Sequence, residues 1–415
     1  MAVVAAQLTT PSSSHFQADY PALFSAYVVR AADVLRSRLE AIASLTPEEF
    51  ALTRDHALHI LTFALGSDEA WSSARDLLLA LAEPMEQAGA RSEWLPFLHR
   101  GVERSTALAD IGAEAELSLR IGHLLRLVSE FANAQQWLEH SLRCWEQLEE
   151  LTGIARALNQ LAYVDCLLNH NERAVQRATT ALMLLAEDDS ERAMSRFVLG
   201  MVASNRWQWA EAETHHRAAL ALRQAQGNAR RTAWALQNVG YALQGQQRYA
   251  EALEYFRAAD VVLEELGDKA NRAIVLMNLA RTYHLDSQLA LALETGLAAR
   301  QLLRDVGDRL HAARHDSNLG LTYLALHDPQ AALAAFQESI DAYTLLDDTA
   351  GRVNTTSGLA MAHLALGEYA AAVAVLAPAL EELAPLVNVP GKAVLQTVMT
   401  ENLAKARVAL SQSRK

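Results

Sequence analysis

Apolar residues recur three or four positions apart along most of the chain, which is the spacing of one face of an α-helix. Short turns separate the predicted helices, and three of these turns, at Gly227, Gly267 and Gly307, lie 40 residues apart. A glycine at the end of a helix readily takes the left-handed conformation, and the Asn or Asp that follows each one can cap the next helix. The pattern therefore predicts pairs of helices that repeat every 40 residues.

Small residues occupy fixed places within this period. The first predicted helix of each pair has a small residue directly after an aliphatic one. The second helix has two further small residues, 12 and 19 positions after the small residue of the first helix. The first of these columns consists of Gly122, Ala162, Gly200, Gly240, Ala280, Gly320 and Ala360. Small side chains let two antiparallel helices approach closely, and a single pair cannot bury its apolar face without neighbours. The columns therefore predict a stack of helix pairs.

The columns resemble the tetratricopeptide repeat (TPR), in particular its 40-residue variant in bacterial regulatory and scaffold proteins. The most similar segments are Asn238-Val239-Gly240-Tyr241 with Tyr249 to Phe256, and Asn318 to Tyr323 with Ala332 and Phe336. The resemblance implies an all-α fold, a right-handed TPR superhelix (α-solenoid) of about seven to eight helix-turn-helix units. Two features depart from the repeat: alanine replaces glycine in three units, and Gly296 stands where a large residue is expected.

The same alignment predicts how the chain is organised. A degenerate unit, with Trp94 where an alanine is expected, precedes the regular units. Ahead of it the sequence predicts two helices, the second capped by Thr46 with Pro47 in its first turn. The predicted segments are a disordered N-terminus at 1–17, an N-terminal helical segment at 18–67, a degenerate TPR-like unit at 68–110, seven TPR units at 111–385, and a C-terminal capping helix and tail at 386–415.

Charge and composition narrow the range of partners. The 415 residues include 36 Lys and Arg against 49 Asp and Glu, a net charge of −13 that repels nucleic acids and anionic membranes. No stretch of 18 apolar residues predicts a transmembrane helix, and the N-terminus lacks the basic region of a secretory signal. The two cysteines, Cys144 and Cys166, are typical of a reducing compartment. We therefore expect a cytoplasmic protein with no nucleic-acid or membrane partner.

The sequence contains none of the common nucleotide-binding, zinc-protease or serine-hydrolase motifs. His311 and His315 lie one helical turn apart and could hold a metal, with Asp316 and His284 as further ligands. Nothing else completes a ligand set, so packed or solvated histidines are the favoured interpretation. The cysteines are interpreted as small buried residues rather than a redox or metal pair. We therefore expect no metal, no cofactor and no enzymatic activity.

One polar column is harder to attribute to packing. Asn238, Asn278 and Asn318 immediately precede the aliphatic column at steps of 40, although asparagine is a mediocre helix former. A carboxamide both donates and accepts hydrogen bonds, so it can pair with the backbone of an extended peptide. Asparagines of the first helix often do this in TPR proteins that bind peptides in the inner groove, and the resemblance implies the same role here. The alternative is that each Asn bridges to a neighbouring helix or faces water.

Residues one helical turn away from these asparagines should share the same concave wall. The mixture is aromatic, polar and cationic, as a peptide groove requires, and its arginines could pair with acidic groups of a ligand. Trp207 and Trp209 flank a turn between helices, where packing is favoured over an exposed binding platform. Besides the asparagines, the wall is predicted to contain Trp234, Gln237, Tyr241, Met277, Arg281, Arg314, Ser317, Leu321 and Asn354.

The absence of a catalytic motif and the asparagine column together predict a non-catalytic scaffold that binds a protein or an extended peptide. A peptide-responsive regulator or sensor is the alternative, because 40-residue TPR arrays resemble those of bacterial regulators. Neither a helix-turn-helix nor a nucleotide loop precedes the array, so such a regulator would act on a separate partner. An enzyme with its site in the N-terminal helices is a third, less favoured possibility.

Overall fold

The computed structural model of the protein describes residues 20–41, 46–87, 90–387, 389 and 391–412. Within these residues the chain forms 19 α-helices and no strand, which confirms the predicted all-α fold. The predicted N-terminus at 1–17 lies outside the described residues. The helices are α1 Tyr20–Glu40, α2 Pro47–Ala64, α3 Trp71–Gln87, α4 Arg91–Ala107, α5 Ile111–Leu127, α6 Phe131–Gln147, α7 Leu151–Leu167, α8 Asn171–Leu184, α9 Arg192–Asn205, α10 Trp209–Ala225, α11 Ala229–Gly245, α12 Tyr249–Glu265, α13 Lys269–Leu285, α14 Leu289–Asp305, α15 Arg309–Ala325, α16 Pro329–Leu345, α17 Thr349–Ala365, α18 Tyr369–Leu383 and α19 Lys392–Gln412.

The chain divides into two compact units, one up to Val198 and one from Leu199 onward. In the first unit, α1 packs against α2 and α3, and the pairs α3/α4, α5/α6 and α7/α8 follow. Its core includes the fully buried side chains of Leu77 and Leu81, and Trp94 is nearly so. The N-terminus of α2 is capped as predicted: Thr46 accepts a hydrogen bond from the backbone of Glu49, whose carboxylate accepts one from Thr46 in return.

The second unit consists of successive helix pairs, α11/α12, α13/α14, α15/α16 and α17/α18, preceded by α10. Short turns make each pair antiparallel, and each second helix also packs against the first helix of the next pair. After the last pair, α19 packs against α18 and α17, the place that the first helix of another pair would take. Each apolar face is therefore covered by a neighbouring pair.

The small residues of the first helices lie where the two helices of a pair come closest. A side-chain carbon added to Gly320 would come within 2.5 Å of the Phe336 ring, and one added to Gly240 within 2.9 Å of the Phe256 ring. Both rings are completely buried. Each glycine thus provides the space that a large residue of the partner helix fills, as the repeat columns predict.

In the pair α13/α14, the glycine lies on the second helix instead of the first. Its first helix carries Ala280, and Gly296 replaces the large residue on the second helix. Leu319 of the next pair lies closest to the remaining space, and His315 lies beside it; the His315 imidazole Nε2 donates a hydrogen bond to the Gly296 carbonyl at 2.7 Å. The departure at Gly296 therefore creates a site for a buried histidine of the following helix.

Candidate functional site

The first helices of the second unit, α11, α13, α15 and α17, lie side by side. Polar side chains connect neighbouring helices of this row. Gln244 donates a hydrogen bond to the Thr282 hydroxyl at 2.7 Å, and the His284 imidazole lies 3.1 Å from the Thr322 hydroxyl. Such bonds between helices fix the spacing of the row, which is the surface that the sequence predicts as a binding wall.

One column on this row is exposed in all four helices. It comprises the residues that directly follow the small column, at steps of 40: Tyr241, Arg281, Leu321 and Met361. Three of the four are large and apolar, and each of those three is about 40% exposed, namely 40% for Tyr241, 39% for Leu321 and 40% for Met361. Met361 is missing from the sequence prediction, although its distance of 40 residues from Leu321 is a signal that identifies it. We call the exposed surface of α11, α13, α15 and α17 the wall.

The asparagine column lies beside the exposed column. Asn238, Asn278 and Asn318 are half-buried, and none of their carboxamides forms an intramolecular hydrogen bond with the described residues. The bridge to a neighbouring helix, which the sequence leaves open as an alternative, is therefore absent within the described part of the chain. In α17 the same position is Gly358, and a carbon added there would overlap the Phe336 ring. The column thus ends after three helices.

The remaining predicted wall residues differ in their surroundings. On α11, Trp234 and Gln237 are half-buried. On α13, Met277 is half-buried and packs against the apolar core of the second unit. On α15, Ser317 is half-buried, and its hydroxyl accepts a hydrogen bond from Thr355 at 3.3 Å. Met277 and Ser317 are therefore partly committed to contacts within the protein.

The two predicted arginines of the wall are both exposed, but they occupy different environments. Arg281 has no ion pair with a described carboxylate, and its charge adds to burial in lowering the pKa of His284. Arg314 lies beside Tyr343 at the end of α16, where it opposes the increase in the pKa of this tyrosine that burial causes. Asn354 on α17 is exposed. Of these two arginines, Arg281 is therefore the more available to an acidic group of a ligand.

An aromatic cluster adjoins the wall at α11. The rings of Trp209 and Tyr241 lie 5.8 Å apart in an edge-to-face arrangement, and Trp207 contacts Trp209 in the same manner at 5.7 Å. Trp209 covers Gly245, where an added carbon would come within 2.3 Å of the indole. Trp207 is 73% exposed. Packing thus accounts for Trp209, whereas Trp207 and Tyr241 present aromatic surface to solvent.

The histidines that the sequence considers as metal ligands have other partners. His311 pairs with Asp308 at 2.7 Å, and burial lowers the pKa of His315 to about 4 beside the Gly296 carbonyl. Asp316 pairs with Arg300 at 2.9 Å, and burial raises its pKa to about 6. The packed interpretation is thus the one that fits these contacts. Both cysteines are buried. None of the described helices is long and apolar enough to cross a membrane.

Repeated pairs of helices that contact mainly their neighbours define an α-helical repeat protein of the solenoid class. A family model described as tetratricopeptide repeat matches residues 190–259, 271–344 and 311–381. The matched part of the chain, within residues 190–381, therefore consists of tetratricopeptide repeats, as the sequence columns predict. No curated protein matches the chain in sequence.

Three solved structures share this fold over most of the chain. A signal transduction ATPase with numerous domains from Pyrococcus horikoshii, which carries a tetratricopeptide repeat sensor, is 16% identical with a TM-score of 0.64, over 91% of this chain and 55% of that one. A Rap protein in complex with competence and sporulation factor is 16% identical with a TM-score of 0.57, and the match covers 92% of this chain and 99% of that one. Aspartyl phosphate phosphatase F from Bacillus subtilis is 13% identical with a TM-score of 0.54, and the match covers 92% of this chain and 97% of that one. At these identities the likeness concerns the fold.

Proposed function

We propose that the chain is a non-catalytic scaffold that binds a protein or an extended peptide along the wall. The observation that carries this proposal is the column of Asn238, Asn278 and Asn318, whose half-buried carboxamides have no intramolecular hydrogen bond among the described residues. Their polar atoms are not among the buried side-chain atoms without a partner, so they remain open to solvent and can exchange water for the backbone groups of an extended ligand. The wall would form the concave groove that stacked repeats offer to extended ligands.

The column next to the asparagines supports the same proposal. Tyr241, Leu321 and Met361 expose apolar surface on three helices of the row, and Arg281, on the helix between the first two, adds a cation without an ion pair in the described part of the chain. A peptide needs backbone partners for affinity and side-chain contacts for specificity. The asparagines would supply the first, and the exposed column would supply the second. We expect the preferred ligand to place an acidic group near Arg281.

A double substitution of the asparagines tests this proposal. The partner is first isolated by affinity capture with the full chain, and its affinity is then measured by calorimetry. Asn278→Ala with Asn318→Ala should weaken binding about tenfold or more, because each lost hydrogen bond costs about 0.5–1.5 kcal/mol. The helical content should not change, since neither carboxamide holds a described neighbour.

The matched control removes two amides from the second helices of the same pairs. Gln301 and Gln337 are exposed, and among the described residues each donates a side-chain hydrogen bond only to an aspartate one turn further along its own helix. Gln301→Ala with Gln337→Ala should leave the affinity unchanged. Normal binding by the asparagine double variant would refute the wall as the binding site. The outer faces or the N-terminal helices would then be the regions to test.

A peptide-responsive regulator is the second candidate function. It is supported by two of the similar structures, one described as a Rap protein with a bound factor and the other as a signal-transduction ATPase with a repeat sensor. In this case the wall would receive a peptide, and a second protein would respond to the complex. The two candidates differ in one measurement: peptide binding should change the affinity for the second protein in a regulator, but not in a simple scaffold.

A further inference from the structure

Three potential metal ligands from two helices meet in the first unit. Glu114 lies in the first turn of α5, and His140 and Cys144 lie one turn apart on α6. One carboxylate oxygen of Glu114, the His140 imidazole Nε2 and the Cys144 Sγ all lie within 4.8 Å of one another. The Nε2 is 2.7 Å from the carboxylate oxygen and 3.8 Å from the sulfur. The three groups therefore point toward one common place.

The surroundings of this cluster are mostly closed to solvent. Cys144 is buried, the Glu114 side chain is 13% exposed, and the His140 side chain is 34% exposed. The only ionic partner of Glu114 among the described residues is His140 itself, since no described arginine or lysine pairs with it. A largely buried carboxylate is thus left without a full compensating charge.

The geometry does not suit a nucleophilic cysteine. In a cysteine–histidine relay, one ring nitrogen faces the thiol and the other is held by the carboxylate. Here the same nitrogen, Nε2 of His140, faces both Glu114 and Cys144. Convergence of three donors on one point is instead the arrangement that a cation requires.

We propose that Glu114, His140 and Cys144 form a binding site for a thiophilic divalent cation of the zinc type. Thiolate, imidazole and carboxylate are all zinc ligands, with bonds of about 2.0–2.3 Å, so the ligand atoms of a tetrahedral site lie roughly 3.2–3.8 Å apart. The sulfur–nitrogen distance of 3.8 Å is close to this range, and the nitrogen–oxygen distance of 2.7 Å has to widen by about half an ångström. The sulfur and oxygen lie within 4.8 Å of each other, so the three side chains adjust on binding. On binding, the Cys144 thiol releases its proton to solvent and a metal–sulfur bond forms. Water at the half-exposed edge of His140 completes the coordination.

Comparison of equivalent positions in the repeats supports a special role for the helix pair α5/α6. The equivalents of Glu114 and Cys144 in the last pair, Arg352 and Glu382, form an ion pair at 2.7 Å. These two positions therefore bring side chains into contact across a helix pair. At the position of Cys144, the five intervening pairs carry the apolar residues Leu184, Leu222, Val262, Leu302 and Ala342. Ligand side chains occur together at all three positions only in α5/α6, among the aligned units of the sequence.

Titration of the metal-free full chain with Co²⁺ tests this site, because a cobalt–thiolate bond gives a charge-transfer absorption that neither imidazole nor carboxylate produces. The band should saturate at one equivalent in the unmodified chain. The matched control is Cys166→Ala, which removes the other buried cysteine and should leave the band intact. Cys144→Ala should abolish the band.

Displacement of Co²⁺ by Zn²⁺ gives a second readout, for which the substituted residue is His140 and not the buried cysteine. His140→Ala changes a half-exposed side chain and should weaken Zn²⁺ binding about tenfold or more, with an unchanged circular dichroism spectrum. Binding of Zn²⁺ to the unmodified chain should also release protons to a weakly buffered solution. The proposal is overturned if excess Co²⁺ produces no charge-transfer band, if the band persists in Cys144→Ala, or if Zn²⁺ binds His140→Ala with unchanged affinity.

Discussion

Single residues of this protein are matched in size across each helix pair. Gly320 receives the Phe336 ring, and where Gly296 removes a large side chain, Leu319 and His315 of the next helix take the space. The exchange brings a polar ring into an apolar environment, so His315 is nearly completely buried. Burial lowers the pKa of His315 to about 4, because the charged imidazolium would lose its hydration. Packing at one residue thus determines the ionisation of another.

The low pKa of His315 predicts a loss of stability in mild acid. Its folded pKa of about 4 lies below its ordinary value of 6.5, so the unfolded chain takes up the proton first as the pH falls. The stabilisation is complete above pH 6.5 and is lost between pH 6.5 and 4, at about 1.4 kcal/mol per pH unit or less. Asp316, whose pKa is raised to about 6, acts in the opposite direction over a similar range.

Substitution His315→Gln should isolate the histidine contribution. Between pH 7 and pH 5, the free energy of unfolding of the variant should fall less than that of the unmodified chain, by about 1–2 kcal/mol. Urea unfolding at the two pH values, followed by circular dichroism, measures this difference. His59→Gln, at an exposed position, serves as the control for the loss of a histidine elsewhere in the chain. Equal losses in the unmodified chain and in His315→Gln would contradict the prediction.

At the scale of helices and turns, the connections are shaped by left-handed residues and by caps. Gly227, Gly267 and Gly307 have φ angles of 69°, 64° and 72°, as the glycine pattern predicts. Asp268 and Asp308 then accept hydrogen bonds from the backbone of the first helical turn. Many other turns use a left-handed residue that is not glycine. Residues of this kind with φ between 54° and 63° are Ala109, Ser129, Glu149, Asn169, Trp207, Gln247, Ser287, His327 and Asp347.

Exchanges at two turns should therefore change stability in opposite directions. Gln247 is exposed with φ of 61°, and a side chain in this conformation costs about 1 kcal/mol, so Gln247→Gly should stabilise the protein by about 0.5–1 kcal/mol. Gly267→Ala should destabilise it by about 1 kcal/mol, although nothing lies within 4 Å of the added carbon. Thermal unfolding of both variants measures the two changes in stability. Destabilisation by Gln247→Gly would show that the turn is not strained.

At the scale of the whole molecule, the net charge of −13 dominates the interaction with other polyelectrolytes. Many arginines are also neutralised locally by carboxylates. Arg156 forms two hydrogen bonds to Glu116, and Arg248 and Arg217 share Glu213. Neutralised cations release few counterions when a phosphate backbone approaches.

We therefore expect no binding to double-stranded DNA at physiological salt. The net charge repels the phosphates, and the pairing of described arginines with carboxylates reduces the favourable release of counterions. Fluorescence anisotropy with a labelled random duplex checks this expectation, and a basic DNA-binding protein serves as the positive control. Sub-micromolar binding that weakens as salt is added would contradict it, and would favour a regulator that acts on DNA.

The sequence by itself determined the helical period, the small columns and the all-α repeat fold, because each depends on spacing along one chain. It also predicted an asparagine column on the first helices and left two interpretations of it. Only the tertiary structure decided which polar groups meet across helices. His315 reaches Gly296, and Glu114 reaches His140 and Cys144, through contacts between separate helices. Such contacts depend on the volumes that packing leaves between helices, and the periodicity of a sequence does not encode those volumes.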